Sequence, residues 1–143
     1  IIGEIKMAKF VVTSTSVTIN SVDVSASCAR AELVLNSSEV ETTDFGSAGY
    51  VEVIGGLKSG TVSFDFHQDF GVGAVSTTFA DLIGTVIPIV LIGGNGTTAS
   101  ATTPSYSFNA LVTSFTPVSG AVGDLATFSV SFPTSGAVTV ATS

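Results

Sequence analysis

The sequence predicts a mainly β protein, a β-sandwich or partial barrel with one short flanking helix at about residues 76–83. Val contributes 20 of the 143 residues, and Ser and Thr together contribute 39, which is typical of β-sheet proteins. Hydrophobic residues make up 45% of the chain, enough for a core. Segments of alternating apolar and polar residues recur roughly every 8 to 15 residues, as they do in sandwiches.

The chain is predicted to form one domain with an extension at each end. Its mass of 14.3 kDa fits a single hydrophobic core and hardly two. We expect three parts, an N-terminal arm at 1–16, a β-sandwich at 17–133 and a C-terminal tail at 134–143.

In the first half of the domain, the sequence predicts short strands joined by turns. A hairpin is expected at 17–24, because Asn20 and Ser21 suit a tight turn. Asp23 is placed to cap the single helical turn that follows it. The remaining segments of this half are a strand at 30–35, a break at 36–39, a loop at 42–49, a strand at 50–54 and a turn at 55–60.

In the second half of the domain, the sequence predicts further strands before and after the helix. Residues 61–70 show the clearest alternation in the chain, with every second residue of their first part apolar. The helix at 76–83 has apolar residues at helical spacing, and Gly84 follows its end. The other strands of this half are expected at 85–92, 105–116 and 125–132.

The acidic charge of the chain argues against binding to nucleic acid or to an anionic membrane. Eleven Asp and Glu oppose four Lys and Arg, and no base follows Lys58. Both kinds of partner need clustered bases. Only 10% of the residues are charged, against about 25% in an average domain. The surface is therefore either covered by copies of the chain or a partner, or coated with Ser and Thr in a monomer.

No catalytic, cofactor or metal site is predicted. Cys28 is the single cysteine and His67 the single histidine, which excludes an internal disulfide and a zinc site of the usual type. A small hydrolase could use His67 as a general base with Asp65 or Asp69 beside it. The same spacing is typical of the solvent face of a strand, which is the preferred interpretation.

Three segments, taken in order, give the chain a resemblance to a known family. They are EVETTDFG at 39–46, GLKSGTVSFDFHQDF at 56–70 and TSFTPVSGAVGDLATFSVSFP at 113–133. The chain resembles the major tail protein, the tail tube subunit of long-tailed, non-contractile bacteriophages, especially those of actinobacterial hosts. The similarity covers nearly the whole chain from Met7 onward.

The resemblance implies a structural protein of the virion and not an enzyme. Subunits of the family form stacked, hexameric rings whose strands join into one continuous inner β-barrel, and the tube conducts the genome. The implied partners are other copies of the chain, the tape-measure protein, and the tail terminator and tail tip proteins, with DNA only passing through. The protein would be made in the host cytoplasm and reside in the phage tail, without a cofactor.

The resemblance also places the contacts between rings in the terminal arm and a long loop. On this sequence the candidate interface residues are Phe10, Val11, Val12, Thr42, Thr43, Asp44, Phe45, Gly46 and Tyr50. Carboxylates repel phosphates, so an acidic lumen is expected. The candidate lumen-facing acids are Glu52, Asp65 and Asp69. The pattern alone leaves open whether the loop aromatics anchor a neighbour or pack onto their own core.

A binding module is the second hypothesis. An immunoglobulin-like capsid decoration or adhesin domain fits the low charge and the Ser/Thr-rich surface as well. It would be a monomer or trimer with saturable binding to a capsid lattice or a glycan. A tube subunit assembles into rings or filaments of uniform width, so the state of assembly distinguishes the two hypotheses.

Overall fold

The fold is described by a computed structural model that covers residues 9–71 and 79–142. Its strands are, in chain order, β1 (Ser16–Ile19), β2 (Val22–Asp23), β3 (Cys28–Glu41), β4 (Val53–His67), β5 (Val86–Ile92), β6 (Ser105–Leu111) and β7 (Thr127–Ala141). They form one antiparallel sheet in the order β2-β1-β5-β6-β7-β4-β3, which is not closed into a barrel within the described residues. The predicted mainly β fold is confirmed.

The long strand β7 divides this sheet into two layers. Its first half pairs with β4 up to Pro133, and its second half pairs with β6 from Thr134 onward. The register with β6 shifts opposite Gly136, where φ is 83°. A bulge with a glycine at positive φ bends a strand. One layer therefore contains β3, β4 and the first half of β7. The other layer contains the second half of β7 together with β6, β5, β1 and β2.

The core lies between the two layers. From Gly60 to Phe66 in β4 and from Phe128 to Phe132 in β7, every second residue is buried, which confirms the alternation predicted from residue 61 onward. The buried residues of the first layer are Val62, Phe64, Phe66, Phe128, Val130 and Phe132. Those of the second layer are Val17, Ile19, Ile87, Ile89, Leu91, Phe108 and Ala110.

Phe79 lies at the centre of a cluster of aromatic rings. Its centroid is 5.9 Å from Phe66, 5.7 Å from Phe115 and Phe132, and 6.3 Å from Phe128. Aromatic rings at these separations attract one another beyond their buried area. The fully buried Phe79 therefore fixes the segment before β5 onto the core.

The predicted helix at 76–83 falls partly on residues 72–78, which lie outside the described residues. In the described remainder, Phe79 is helical and a turn follows it. The amide of Leu82 donates to the carbonyl of Phe79 at 3.1 Å, and Thr85 N donates to Leu82 O at 3.0 Å. In the part of the chain that the structure describes, no helix has the length and apolar character needed to cross a membrane.

The predicted hairpin near the N-terminus is confirmed. Asn20 and Ser21 connect β1 to β2 with φ of 51° and 67°, the positive values of a type I′ turn. A 3₁₀ turn follows at Ser25–Ser27. The Oδ1 atom of Asp23 accepts from the hydroxyl of Ser25 at 2.7 Å and from its amide at 2.9 Å. These bonds favour the ionised carboxylate and hold the pKa of Asp23 below its usual value.

The predicted break at 36–39 and the predicted turn at 55–60 are wrong, because both segments lie inside long strands. They pair with each other as parts of β3 and β4, with a register shift between Ser37 and Glu39. Gly56 is present because the strands approach closely there, and not because the chain turns. A Cβ atom on Gly56 would lie 2.3 Å from the Oγ atom of Ser38.

The C-terminal segment is also more ordered than expected. Residues from Thr134 to Ala141, expected to form a tail, make up the second half of β7. They pair with β6, so the sheet extends almost to the end of the described chain. Most of their side chains remain exposed, and an exposed strand lacks the apolar alternation by which strands are recognised.

Candidate assembly surface

β3 and β4 project beyond the sandwich as a two-stranded ribbon. They pair along their whole lengths, whereas β7 accompanies β4 only from Thr61 to His67. We call residues 35–41 and 53–60 the ribbon. Along the ribbon, β4 has β3 on one side, and no strand of the described chain pairs with its other side.

The ribbon has two free edges. β3 is the last strand of the sheet, so the outer edge of its 14 residues pairs with no described strand. The ribbon part of β4 supplies the second edge. Free edges expose rows of unpaired N–H and C=O groups and readily pair with another chain. The ribbon is therefore a surface on which a second copy can continue the sheet.

The ribbon is also apolar for an exposed segment. Its exposed apolar residues are Leu35, Val40, Val53, Ile54 and Leu57. Val40 and Ile54 stand opposite each other and form one apolar pair across the two strands. Covering such side chains is favourable by about 25 cal/mol per Å² of apolar surface. Edge and side chains thus both favour contact with another chain.

Residues 42–52 form a braced loop at the end of the ribbon, which we call the tip loop. Asp44 caps the 3₁₀ turn Phe45–Ser47. Its Oδ1 atom accepts from the amide of Gly46 at 2.9 Å, and its own amide donates to the Oγ atom of Ser47 at 3.1 Å. The polar groups of the tip loop thus bond to one another.

The aromatic side chains of the tip loop point away from the protein. Phe45 has an exposed fraction of 109%, and Tyr50 of 76%. The interpretation in which this loop packs onto its own core is therefore wrong. The other predicted interface residues of the loop, Thr42, Thr43, Asp44 and Gly46, are exposed beside them. Their contact with a neighbour stays a prediction.

The N-terminal arm is held by the side chain of Asn95. The apolar residues of the arm are Phe10, Val11 and Val12, and all are exposed. The Oδ1 atom of Asn95 accepts from the amides of Thr13 at 2.8 Å and Ser14 at 3.0 Å. Its Nδ2 atom donates to the carbonyl of Val11 at 2.8 Å. This clasp fixes where the apolar arm leaves the sandwich, and the sequence pattern did not indicate it.

We expect Asn95→Gly to release the arm without disturbing the fold. Glycine keeps the φ of 64° found at this position but removes the three side-chain hydrogen bonds. Each bond is worth about 1 kcal/mol, so the amides of Thr13 and Ser14 should exchange hydrogen at least about tenfold faster. Asn95→Asp keeps the acceptor oxygen and should protect both amides. Equal exchange in wild type and Asn95→Gly would refute the clasp.

The face of β3, β4 and β7 that points away from the core is polar. Arg30 stands opposite Asp65, which stands opposite Ser129. The hydroxyl of Ser129 donates to Asp65 Oδ1 at 2.6 Å. In the next row the hydroxyls of Ser63 and Ser131 are 3.2 Å apart. We call this surface the polar face.

Arg30 is the only base on the polar face, and it forms an ion pair with Glu32. The one other base in these three strands is Lys58. Lys58 has the same strand parity as the buried Gly60, so it points to the opposite face. Since Asp65 adds a further negative charge, the polar face is net negative and has no unpaired base.

The three acids predicted to face a lumen lie at different positions along the direction of β4. Asp65 is on the polar face. Glu52 belongs to the tip loop, and a rise of about 3.3 Å per residue places it about 40 Å from Asp65 along the strand. Asp69 lies beyond the end of β4 and accepts from the amide of Gly71 at 2.9 Å. Whether any of them faces a lumen stays a prediction.

The residues considered for other chemistry are placed as follows. His67 is exposed at the end of β4, opposite Thr127. Burial raises the pKa of the half-buried Cys28 thiol, which donates to the carbonyl of Arg30 at 3.2 Å. Within residues 9–71 and 79–142, no three His, Cys, Asp or Glu side chains are grouped closely enough to hold a metal ion.

The fold resembles that of a chain in a gene transfer agent virion. No protein-family model and no curated protein matches the chain. Among solved structures, it is similar to a chain of the "Virion of native gene transfer agent (GTA) particle", with a TM-score of 0.67. The match has 14% sequence identity and covers 89% of this chain and 95% of the other. At this identity, the similarity establishes a shared fold alone.

Proposed function

We propose that this protein is a structural subunit of a virion, the subunit of a tail tube that assembles into stacked, hexameric rings and conducts DNA. The observation that carries the proposal is the projecting ribbon with a free strand edge on each side. The fold shared with a chain of a gene transfer agent virion supports it. The resemblance of the sequence to major tail proteins supports it independently.

The two free edges suit closure into a ring. β3 and β4 are antiparallel, so placing the β3 edge of one copy against the β4 edge of the next continues an antiparallel sheet. The contact joins two different surfaces, and such head-to-tail contacts generate a ring when the rotation between copies closes. The ribbons of all copies then form one continuous inner β-barrel. A closed barrel leaves no edge exposed.

The polar face lies on the same strands as the ribbon, next to the ribbon's base, and we expect it to face the bore as well. The core of the sandwich lies behind this part of the sheet, so the polar face alone is free to point inward. Its hydroxyls are neutral, Asp65 is negative, and Arg30 is neutralised by Glu32. A protein binds DNA strongly by neutralising phosphates with bases. A bore of this kind lets DNA pass without holding it.

The proposed role also defines the location and the other partners of the protein. It would be made in the host cytoplasm and would reside in the virion tail. Its partners would be the tape-measure protein inside the tube and the terminator and tip proteins at its ends. It would turn over no substrate and need no cofactor.

Electron microscopy of the purified protein tests the proposal. At increasing protein concentration we expect rings or tubes of uniform width with a central channel. Sedimentation velocity should show large assemblies in place of the 14.3 kDa monomer. A monomer that persists at high concentration would overturn the proposal. Saturable binding of that monomer to a capsid lattice or a glycan would support the binding module instead.

We expect tubes of the Asp65→Lys variant to retain DNA. The change replaces one negative by one positive charge per subunit on the polar face, and the bases of all subunits then act together. At low salt these tubes should co-sediment with short duplex DNA at least about tenfold more than wild type, and high salt should abolish the difference. Thr98→Lys, in an exposed loop away from that face, is the matched control. Equal retention by both lysine variants would show that Asp65 does not face the bore.

A further inference from the structure

Asn95 and Gly96 form the single Asn-Gly pair of the chain, and the fold has a use for both residues. The other asparagines precede Ser or Ala. Asn95 has a φ of 64°, which asparagine tolerates better than most residues, and its side chain forms the clasp on the arm. A Cβ atom on Gly96 would lie 2.6 Å from the Cβ atom of Thr103, so a side chain there would displace Thr103. Packing and hydrogen bonding therefore favour this pair.

An Asn-Gly pair is the asparagine context most prone to deamidation, because glycine has no side chain to hinder its own backbone nitrogen. The nitrogen of Gly96 loses its proton to solvent and attacks Cγ of Asn95. A bond forms between these two atoms, the bond from Cγ to Nδ2 breaks, and Nδ2 leaves as ammonia. Water then opens the cyclic imide to aspartate or to isoaspartate, in which the backbone runs through Cγ. Asn95 and Gly96 are both partly exposed, so water reaches them.

The clasp opposes this reaction in the folded protein. It holds both polar atoms of the Asn95 side chain, Oδ1 through the amides of Thr13 and Ser14 and Nδ2 through the carbonyl of Val11. The cyclic imide has no Nδ2 atom, so the bond to Val11 is lost when the ring closes. The ring also fixes Cγ in a position set by Gly96 and not by the arm. Reaction at Asn95 is thus coupled to release of the arm.

We propose that Asn95 is a deamidation site whose reaction is controlled by the N-terminal arm. Asn95 keeps its amide while the arm is clasped and reacts when the arm is released. The aspartate product still accepts from the amides of the arm, but it has no donor for the carbonyl of Val11, and its negative charge repels that oxygen. The reaction needs only the folded subunit, so it does not depend on the proposed tube.

The isoaspartate product would disturb the clasp more strongly. It adds a carbon atom to the backbone between Gly94 and Gly96, where there is little space. A Cβ atom on Gly94 would lie 2.5 Å from the carbonyl oxygen of Thr102, and Gly96 packs against Thr103. Either product leaves a permanently weakened clasp after a temporary release of the arm.

Mass spectrometry of proline variants tests the control by the arm. The double variant Thr13→Pro/Ser14→Pro lacks the two amides that hold Asn95 Oδ1, while residues 95 and 96 are unchanged. At mildly alkaline pH, the deamidated fraction of the chymotryptic peptide that contains Asn95 should grow at least about tenfold faster than in wild type. Val11→Pro is the matched control. It removes an amide that takes no part in the clasp and keeps the Val11 carbonyl, so it should react at the wild-type rate.

Equal rates in the double variant and in wild type would overturn the proposal. Unfolded wild type gives a second measurement that needs no variant. In urea the clasp is absent, so Asn95 should deamidate at least about tenfold faster than in the folded protein. Asn20 and Asn36, which both precede Ser, serve as references for slower asparagine contexts in the same sample. Equal rates at Asn95 in folded and unfolded wild type would overturn the proposal even if the proline variants fail to fold.

Discussion

Replacing Phe79 by Ala should lower the free energy of unfolding by about 3–5 kcal/mol, the range for removing a buried phenyl ring. Phe79 is completely buried and contacts four other rings, so its removal leaves a cavity that those rings cannot easily fill. A domain of this size has a total stability of about 5–15 kcal/mol. The variant would lose a large part of it. Urea denaturation followed by circular dichroism measures the change.

Phe45→Ala is the matched control for this experiment. The same side chain is removed, but Phe45 is fully exposed in the tip loop. Its replacement should change the free energy of unfolding by no more than about 0.5 kcal/mol. If both variants lose the same stability, the packing around Phe79 is not as described. The control also has a use of its own, because a loss of assembly by a stable Phe45→Ala protein would identify the tip loop as a contact.

The sequence predicted the strands that have one buried face and missed those that have none. Along the first half of β7 and the second half of β4, every second side chain is buried, and this alternation is visible in the residue types. Apart from Gly56 and Gly60, all residues of the ribbon are exposed, on both faces, so no such alternation exists there. Gly55 and Gly56 then suggested a turn, although Gly56 reflects the close approach of β3. The part of the fold that carries the proposed function was therefore the part without a periodic signal.

The candidate site was predictable only in part for a similar reason. Phe45 and Tyr50 stand out because they are aromatics in a polar loop. The clasp by Asn95 joins residues more than 80 positions apart, and nothing in the local sequence marks such a pair. The hydrogen bonds from Gln68 to the carbonyls of Thr116 and Ala126 likewise depend on which strand ends the sheet brings together, because the two segments are separated by the whole of β5 and β6. Contacts of this kind follow from topology and not from periodicity.

A proline in the ribbon part of β3 should prevent assembly without unfolding the protein. Neighbouring residues of a strand direct their N–H groups to opposite sides, so one of Asn36 and Ser37 faces β4 and the other faces the free edge. Both are paired in regular register with β4, opposite Ser59 and Lys58. Proline has no N–H group, so each substitution removes one donor from one side. Asn36→Pro and Ser37→Pro are therefore matched controls for each other.

The two variants should fail in different ways. The variant that removes a donor from the β4 ladder should lose stability, by about 1–3 kcal/mol, because a ladder bond is broken and its acceptor is left unpaired. The variant that removes a donor from the free edge should unfold at nearly the same urea concentration as wild type. Its rings should need at least about tenfold more protein to form, since about 1.4 kcal/mol per contact corresponds to a factor of ten and every copy in the ring repeats the defect. Sedimentation velocity over a concentration series measures this shift. Normal assembly by both variants would mean that the copies meet elsewhere than at the β3 edge, because an edge that joins two chains cannot lose its donors without consequence.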